Sequence, residues 1–139
     1  MIMADTSALL AFVDRDAEEH EDVRSFIDDN SERLIVSPLV LAEIDYMIAA
    51  RLGVDAEIEF LVDVDVGRYQ LASFTDGDMA TALGLVRQYK DLDIGVTEAS
   101  IAAIAARHGT TSILTLDQHF RAIRPLNSDE AFTILPADL

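Results

Sequence analysis

Cysteine and long hydrophobic runs are absent from this sequence of 139 residues. Without cysteine the chain has no disulfide framework and no thiolate metal site. No apolar run approaches the roughly 18–20 residues that a membrane-spanning helix needs. The first five residues also lack the basic segment with which a signal peptide begins. The sequence therefore predicts a cytoplasmic protein that makes no use of a membrane.

Basic residues are few as well. Ten Lys and Arg stand against 26 Asp and Glu, and the formal net charge is −16. Phosphate-rich ligands normally bind basic surfaces, so this charge argues against a polyanionic substrate. Two conditions would remove the objection: divalent ions held by carboxylates would invert the local field, or a basic partner would cover the acidic surface. The arginines are scattered, which is typical of ordinary solvated surface.

Half of the residues are hydrophobic, and their spacing along the chain alternates between that of strands and that of helices, as in an α/β protein. The pattern predicts strands at 2–4, 34–36, 69–72, 112–116 and 132–135. It predicts helices at 8–13, 16–30, 38–52, 56–66, 76–89 and 97–108. Ser37 followed by Pro38 marks a helix start, and Gly53 and Gly109 mark helix ends. We expect one domain over residues 1–139, with a mainly parallel five-stranded sheet flanked by helices on both faces.

Asp5 and Asp117 each follow a predicted strand directly. Ligand sites in open parallel sheets lie outside the carboxyl ends of the strands, so both side chains are candidates for such a site. Each could equally be the N-cap of the helix that follows. Taken one at a time, the two interpretations have similar weight.

Glu43 lies within an apolar helical pattern. Its neighbours one turn away are Leu39, Val40, Tyr46 and Met47. If that surface is buried, the carboxylate must be paired, protonated or bound to metal. Asp45 has similar apolar neighbours but points to roughly the opposite side of the helix, and sequence physics alone does not choose between the two acids.

Glu98 is the fourth candidate, and on its own it is interpreted as an acid that favours a helix start. The preceding loop offers Asp91 and Asp93 as alternatives. The three histidines follow no zinc pattern. His119 is near Asp117 and could support that carboxylate, although a surface or core role is favoured. His20 falls in an acidic run that we expect to be exposed.

Four carboxylates in one pocket would repel strongly and would need a divalent metal to ionise together. A metal-dependent enzyme is therefore the leading hypothesis. A phosphotransferase or phosphatase with Asp5 as nucleophile is a weaker hypothesis, because Ser7 occupies the place of the expected second acid. A signalling receiver would need a late lysine, and the only lysine is Lys90.

Four blocks, in this order, resemble the PIN-domain family, in particular its VapC-type toxins. They are residues 3–10 (Met-Ala-Asp-Thr-Ser-Ala-Leu-Leu), 36–44 (Val-Ser-Pro-Leu-Val-Leu-Ala-Glu-Ile), 95–100 (Gly-Val-Thr-Glu-Ala-Ser) and 113–120 (Ile-Leu-Thr-Leu-Asp-Gln-His-Phe). The similarity covers nearly the whole chain. It selects Glu43 over Asp45, and it places Glu98 where the family usually has aspartate. That glutamate reaches about 1.5 Å further, which would alter metal geometry because Mg²⁺ tolerates little distortion.

The resemblance implies an endoribonuclease that serves as the toxin of a type II, VapBC-type toxin–antitoxin system. Asp5, Glu43, Glu98 and Asp117 would be catalytic, and Asp5, Glu98 and Asp117 would hold one or two Mg²⁺ or Mn²⁺ ions. It further implies cleavage of tRNA or another structured RNA, a homodimer, and a cognate VapB-type antitoxin. The alternative is a PIN-like domain, weakened by Glu98, that acts as a binding or regulatory module.

Overall fold

Five parallel strands form a single sheet in the computed structural model, which describes all residues from Met1 to Leu139. The strands are β1 (Ile2–Ala4), β2 (Leu34–Val36), β3 (Gln70–Leu71), β4 (Ser112–Leu114) and β5 (Thr133–Leu135). All five lie where the sequence predicts them, although β3 and β4 are each two residues shorter than expected. The predicted α/β class is confirmed, and the sheet is entirely parallel.

The strand order is β3-β2-β1-β4-β5. From β1 the chain adds strands on one side, and from β4 it adds β5 on the other, so the direction of winding reverses between β1 and β4. Such a reversal opens a crevice at the carboxyl ends of the two strands. Ala4 pairs with Leu114, which places the residues that follow β1 and β4 at the same level beside this crevice.

Seven helices surround the sheet: α1 (Thr6–Val13), α2 (His20–Asp29), α3 (Pro38–Leu52), α4 (Val54–Asp65), α5 (Asp76–Gln88), α6 (Val96–His108) and α7 (His119–Ala122). A single 3₁₀ turn, Lys90–Leu92, precedes α6. The helix α7 is not among the helices that periodicity predicts, because four residues are too few to show a helical period. Only the N-cap interpretation of Asp117 allows for a helix there. None of the helices is long and apolar enough to cross a membrane.

The central strand β1 is buried on both faces, since Ile2, Met3 and Ala4 are all inaccessible to solvent and successive strand residues point to opposite sides. The connections from β1 to β3 carry α1–α4, and the connection from β3 to β4 carries α5 and α6. Parallel crossovers are right-handed, so these two groups of helices cover opposite faces. The core therefore consists of two layers, one on each side of the sheet.

His20 corrects one expectation from the sequence. The residue is buried rather than exposed, and its Nδ1 lies 2.8 Å from the carbonyl oxygen of Ala11. The physical reason is that α2 begins at His20 instead of near Asp16, so the preceding turn folds the first residue of α2 back against α1.

Candidate active site

A cavity of about 240 Å³ opens at the carboxyl ends of β1 and β4. Its lining consists of Asp5, Thr6, Ser7, Glu43, Met47, Gly95, Thr97, Glu98 and Asp117. All four acids singled out in the sequence therefore border one space, and no lysine or arginine does. A larger groove of about 890 Å³ runs between α2 and β5, but it contains none of these four acids.

Asp5 is both the N-cap of α1 and a wall of the cavity, so its two sequence interpretations are compatible. The residue is only 4% exposed. Its Oδ1 accepts the backbone N–H of Thr6 at 2.8 Å, and its Oδ2 accepts the hydroxyls of Thr115 at 2.8 Å and Ser7 at 3.1 Å. Burial raises the pKa of Asp5; these donors oppose the shift, the nearby Asp117 adds to it, and the pKa is raised overall.

Ser7 and Thr115 connect the two strand ends beneath the acids. The hydroxyl of Thr115 accepts the backbone N–H of Asp117 at 2.9 Å, and the hydroxyl of Ser7 accepts the backbone N–H of Leu116 at 2.9 Å. The same two hydroxyls donate to Asp5. They hold the carboxylate of Asp5 in a set orientation relative to the segment that carries Asp117.

Glu98, in the first turn of α6, faces Asp117 and His119 across the cavity. Nδ1 of His119 lies 2.9 Å from Oε2 of Glu98 and 3.5 Å from Oδ1 of Asp117. Burial raises the pKa of Glu98, His119 opposes this, and the charges of Asp117 and Asp5 contribute to a raised pKa. The hydrogen bond with Glu98 in turn raises the pKa of His119.

The sequence reasoning favoured a surface or core role for His119 over a supporting place beside Asp117, and the structure shows the latter. The turn after Asp117 and the short helix α7 bring its ring to the acids, and no local pattern signals that placement. Of the alternative acids in the preceding loop, neither Asp91 nor Asp93 lines the cavity. Glu98 occupies the position instead.

Glu43 reaches the cavity from α3, but the sequence argument for its burial is wrong. The residue is exposed, and its helical neighbour Tyr46 is 75% exposed. Of its other apolar neighbours, Val40 is buried in the core and Leu39 and Met47 are half-buried, so the apolar pattern around Glu43 belongs only in part to the core. Asp45 lies away from the cavity and beside Glu57 of α4, whose pKa it raises by sharing a hydrogen bond.

A buried relay of hydroxyls ties the two walls together. Ser100 in α6 donates to the carbonyl of Thr97 at 2.6 Å, which leaves its oxygen to accept the hydroxyl of Ser37 at 2.8 Å. Ser37 is the N-cap of α3 and accepts the backbone N–H of Leu39 at 3.2 Å. The relay fixes the start of α3, which carries Glu43, against the start of α6, which carries Glu98.

These donors fit a divalent metal ion. Carboxylate oxygens are the ligands that Mg²⁺ and Mn²⁺ accept, and Asp117 raises the pKa of both Asp5 and Glu98 by repulsion. Ligand atoms of Glu98, Asp117 and His119 lie within 4.8 Å of one another. Asp5 borders the same cavity but lies outside this tightest group. A dication would neutralise repulsion that no lysine or arginine of the cavity relieves and that His119 relieves only at Glu98.

A cavity of uncompensated carboxylates at the winding reversal of a parallel sheet defines a class of α/β domains with an acidic, cation-binding site. Comparison with known proteins narrows this class. The family model described as the PIN domain matches residues 2–125. The chain belongs to the PIN-domain family, and the resemblance noted in the sequence is confirmed.

Individual relatives agree with that assignment. The chain is 40% identical to Ribonuclease VapC26 of Mycobacterium tuberculosis over 136 residues, which cover 97% of this chain and all of the relative. Its fold resembles the crystal structure of M. tuberculosis VapC20, a sarcin–ricin-loop-cleaving toxin, with a TM-score of 0.84 at 16% identity over 92% and 98% of the chains. A VapBC2 structure from Rickettsia felis, bound to promoter DNA, has a TM-score of 0.64 at 18% identity over 91% and 96%.

Proposed function

We propose that this chain is a metal-dependent endoribonuclease and the toxin of a VapBC-type toxin–antitoxin pair. The observation that carries the proposal is the convergence of Asp5, Glu43, Glu98 and Asp117 on one cavity without a basic residue. Support comes from the 40% identity to a protein named a ribonuclease over nearly the whole chain. The functional unit extends over residues 1–139, because β5, beyond the segment that the family model matches, completes the sheet.

The proposed metal ligands are Asp5, Glu98 and Asp117. A Mg²⁺ or Mn²⁺ ion supplies Lewis acidity there: it lowers the pKa of water and neutralises charge that develops on the phosphodiester. Asp5 enters this role already oriented by three donors, so little reorganisation accompanies the reaction. Thr115 holds the backbone of Asp117 at the same time.

Glu43 is proposed to act from the opposite wall. Its exposed carboxylate on α3 can accept a proton from the attacking water or bind a further ion at the mouth of the cavity. The hydroxyl relay from Ser37 to Ser100 keeps this wall at a constant distance from Glu98. Catalysis therefore depends on two helix starts that a buried contact joins.

RNA is the proposed substrate despite the formal charge of −16. Metal ions at the cavity would invert the field where the phosphodiester binds. Of the ten basic residues, Arg24, Arg68, Arg107 and Arg121 are engaged in ion pairs with aspartates, and the others remain available for phosphates. A folded substrate such as tRNA brings closely spaced phosphates to these scattered charges.

Two protein partners complete the proposal. An antitoxin with a basic segment would neutralise the acidic pocket, and structural relatives include VapBC assemblies from R. felis and Salmonella typhimurium. Apolar side chains on α3 and α4, among them Tyr46, Val54, Ile58 and Val62, are exposed and favour protein contacts. We propose that the chain forms a homodimer and acts in the cytoplasm, where its RNA substrate is found.

The test is incubation of purified protein with total RNA in Mg²⁺ or Mn²⁺, compared with Asp5→Asn and with EDTA. We expect discrete fragments from the wild type and at least about 100-fold slower cleavage by Asp5→Asn, since one preorganised electrostatic group is worth 10²–10³ in rate. The matched control is Asp78→Asn, which alters an equally buried aspartate outside the cavity and should cleave normally while folded.

Cleavage that survives both Asp5→Asn and EDTA would overturn the metal-carboxylate mechanism. Absence of cleavage by the folded wild type in either metal would favour the alternative function, a PIN domain kept for binding. Light scattering of the same samples tests the dimer, and a monomer mass at micromolar concentration would contradict it.

A further inference from the structure

His119 is the one histidine beside the acidic cavity. The other two histidines are remote from it: His20 is buried against α1, and His108 lies at the last turn of α6. The ring of His119 is 40% exposed, so burial alone does not account for its position. Its Nδ1 points instead at the two acids that the proposed function assigns to the metal.

We propose that His119 is itself a metal ligand, and that it makes the site selective for Mn²⁺ over Mg²⁺. The inference rests on the metal site of the proposed function and adds to it a nitrogen donor and a choice of ion. It also gives Glu98 a specific partner in this chain.

The distances between the donor atoms suit one shared ion. Two neighbouring ligands of an octahedral ion, each about 2.1 Å from the metal, are about 3.0 Å apart. Nδ1 of His119 lies 2.9 Å from Oε2 of Glu98 and 3.5 Å from Oδ1 of Asp117. All three ligand atoms lie within 4.8 Å of one another. The hydrogen bond thus occupies the space in which a cation would contact all three groups.

The backbone presents this donor set through a short turn. Oδ1 of Asp117 accepts the backbone N–H of His119 at 2.9 Å, which fixes the start of α7 against the carboxylate. Glu98 approaches from α6, and its extra methylene lets Oε2 reach the imidazole. The length of Glu98 and the position of His119 are therefore complementary.

A nitrogen donor changes which ion is favoured. Mg²⁺ binds oxygen ligands and keeps several waters, whereas imidazole is a ligand of first-row transition metals, above all Fe, Ni, Cu and Zn. Mn²⁺ has a similar size and charge but accepts nitrogen more readily. A site with one imidazole and two carboxylates should therefore discriminate between the two ions, and a site of carboxylates alone should discriminate less.

The test measures metal binding without RNA. Pulsed electron paramagnetic resonance of the Mn²⁺-loaded protein should show modulation by the nitrogen of one imidazole, and His119→Ala should lose it. Calorimetry should show Mn²⁺ affinity falling at least about tenfold in His119→Ala, since even groups that only orient ligands are worth 10–100-fold, while Mg²⁺ affinity changes less than about twofold. Gln118→Ala, at the exposed neighbouring position, is the matched control and should match the wild type.

Absence of the nitrogen signal, or an equal loss of affinity for both ions, would overturn the proposal, because a residue that only orients Glu98 affects both ions alike. Circular dichroism establishes that His119→Ala is folded. This test is independent of the test of the proposed function, because metal binding is measured without RNA. If the wild type cleaves RNA in a metal-dependent way but shows no nitrogen signal, the ribonuclease proposal is kept and the His119 proposal is wrong.

Discussion

Asp5 and Asp78 are two aspartates of nearly equal burial, 4% and 5% exposed, in opposite electrostatic surroundings. Asp78 lies in the first turn of α5, where it forms a capping box with Thr75. Arg107 of α6 donates to its carboxylate from Nη2 at 3.0 Å and from Nε at 3.2 Å. Burial tends to raise the pKa of Asp78, but Arg107 and Thr75 together lower it below its ordinary value.

Asp5 has three hydrogen-bond donors, but none carries a charge. Its pKa is raised, because burial and the nearby Asp117 outweigh those neutral donors. A buried carboxylate with a structural role therefore brings its own cation from within the fold. Asp5 lacks one, and this difference identifies the cavity as a place where a cation from solution is expected.

The largest effect that separates the two aspartates should come from metal. Mn²⁺ at 100 times its dissociation constant should stabilise the wild-type protein by about 2.7 kcal/mol, because it binds only the folded state. Asp5→Asn should lose most of this stabilisation, and Asp78→Asn should keep it. Thermal unfolding with and without Mn²⁺ measures both. Equal stabilisation of the wild type and both variants by Mn²⁺ would contradict the assignment of Asp5, but not Asp78, to the metal site.

Without metal, Asp78→Asn rather than Asp5→Asn should be the more destabilising substitution. Asp78→Asn should lower the free energy of unfolding by about 1–2 kcal/mol, since hydrogen bonds to charged groups are worth about 1.5–3 kcal/mol and solvent screens part of this at Arg107, which is 37% exposed. Asp5→Asn should leave that free energy unchanged or raise it, because it removes an uncompensated buried charge.

Urea unfolding in EDTA tests this second comparison. If Asp5→Asn proves as destabilising as Asp78→Asn, the hydroxyls of Ser7 and Thr115 compensate the charge as well as an arginine does.

The smallest effect concerns pH. A lowered folded-state pKa means that the ion pair of Asp78 stabilises the protein above the ordinary value of 3.8 and that this contribution is lost as pH falls through the lower, folded-state pKa. The difference in unfolding free energy between wild type and Asp78→Asn should be constant from pH 7 to about pH 5 and should shrink at more acidic pH. Urea titrations across this range, in EDTA, provide the measurement. A difference in unfolding free energy that grows as the pH falls would contradict the prediction.

Local signals explain which parts of the fold could be predicted. The strand Leu34–Val36, the N-cap Ser37 and the end of α3 at Gly53 agree with the structure, because apolar runs and caps act over a few residues. The helix α7 could not be predicted from a helical period. Asp117 holds its start locally through the backbone N–H of His119, but its packing depends on the contact of Phe120 with Phe132.

The candidate site was likewise predictable only in part from local sequence. Asp5 and Asp117 were placed by the rule that strand ends in a parallel sheet share an edge, which depends only on topology. The choice of Glu43 over Asp45 came from the family resemblance, and the structure places Glu43, not Asp45, at the cavity. The argument that Glu43 is buried was wrong, because the exposure of a residue on α3 depends on which other helix covers that face of α3.

By itself, the sequence determined the class of fold, the order of its elements and the positions of Asp5 and Asp117 at strand ends, because periodicity, caps and strand ends are local properties of the chain. The choice of Glu43 and Glu98 came from the resemblance to the PIN-domain family. Only the tertiary structure decided that His119 joins Glu98 and that Arg107 neutralises Asp78 while Asp5 stays without a cation. Those pairings unite residues between 21 and 29 positions apart, and the Asp5 contact with Thr115 spans 110. Contacts at such separations arise from packing, which no short window of sequence contains.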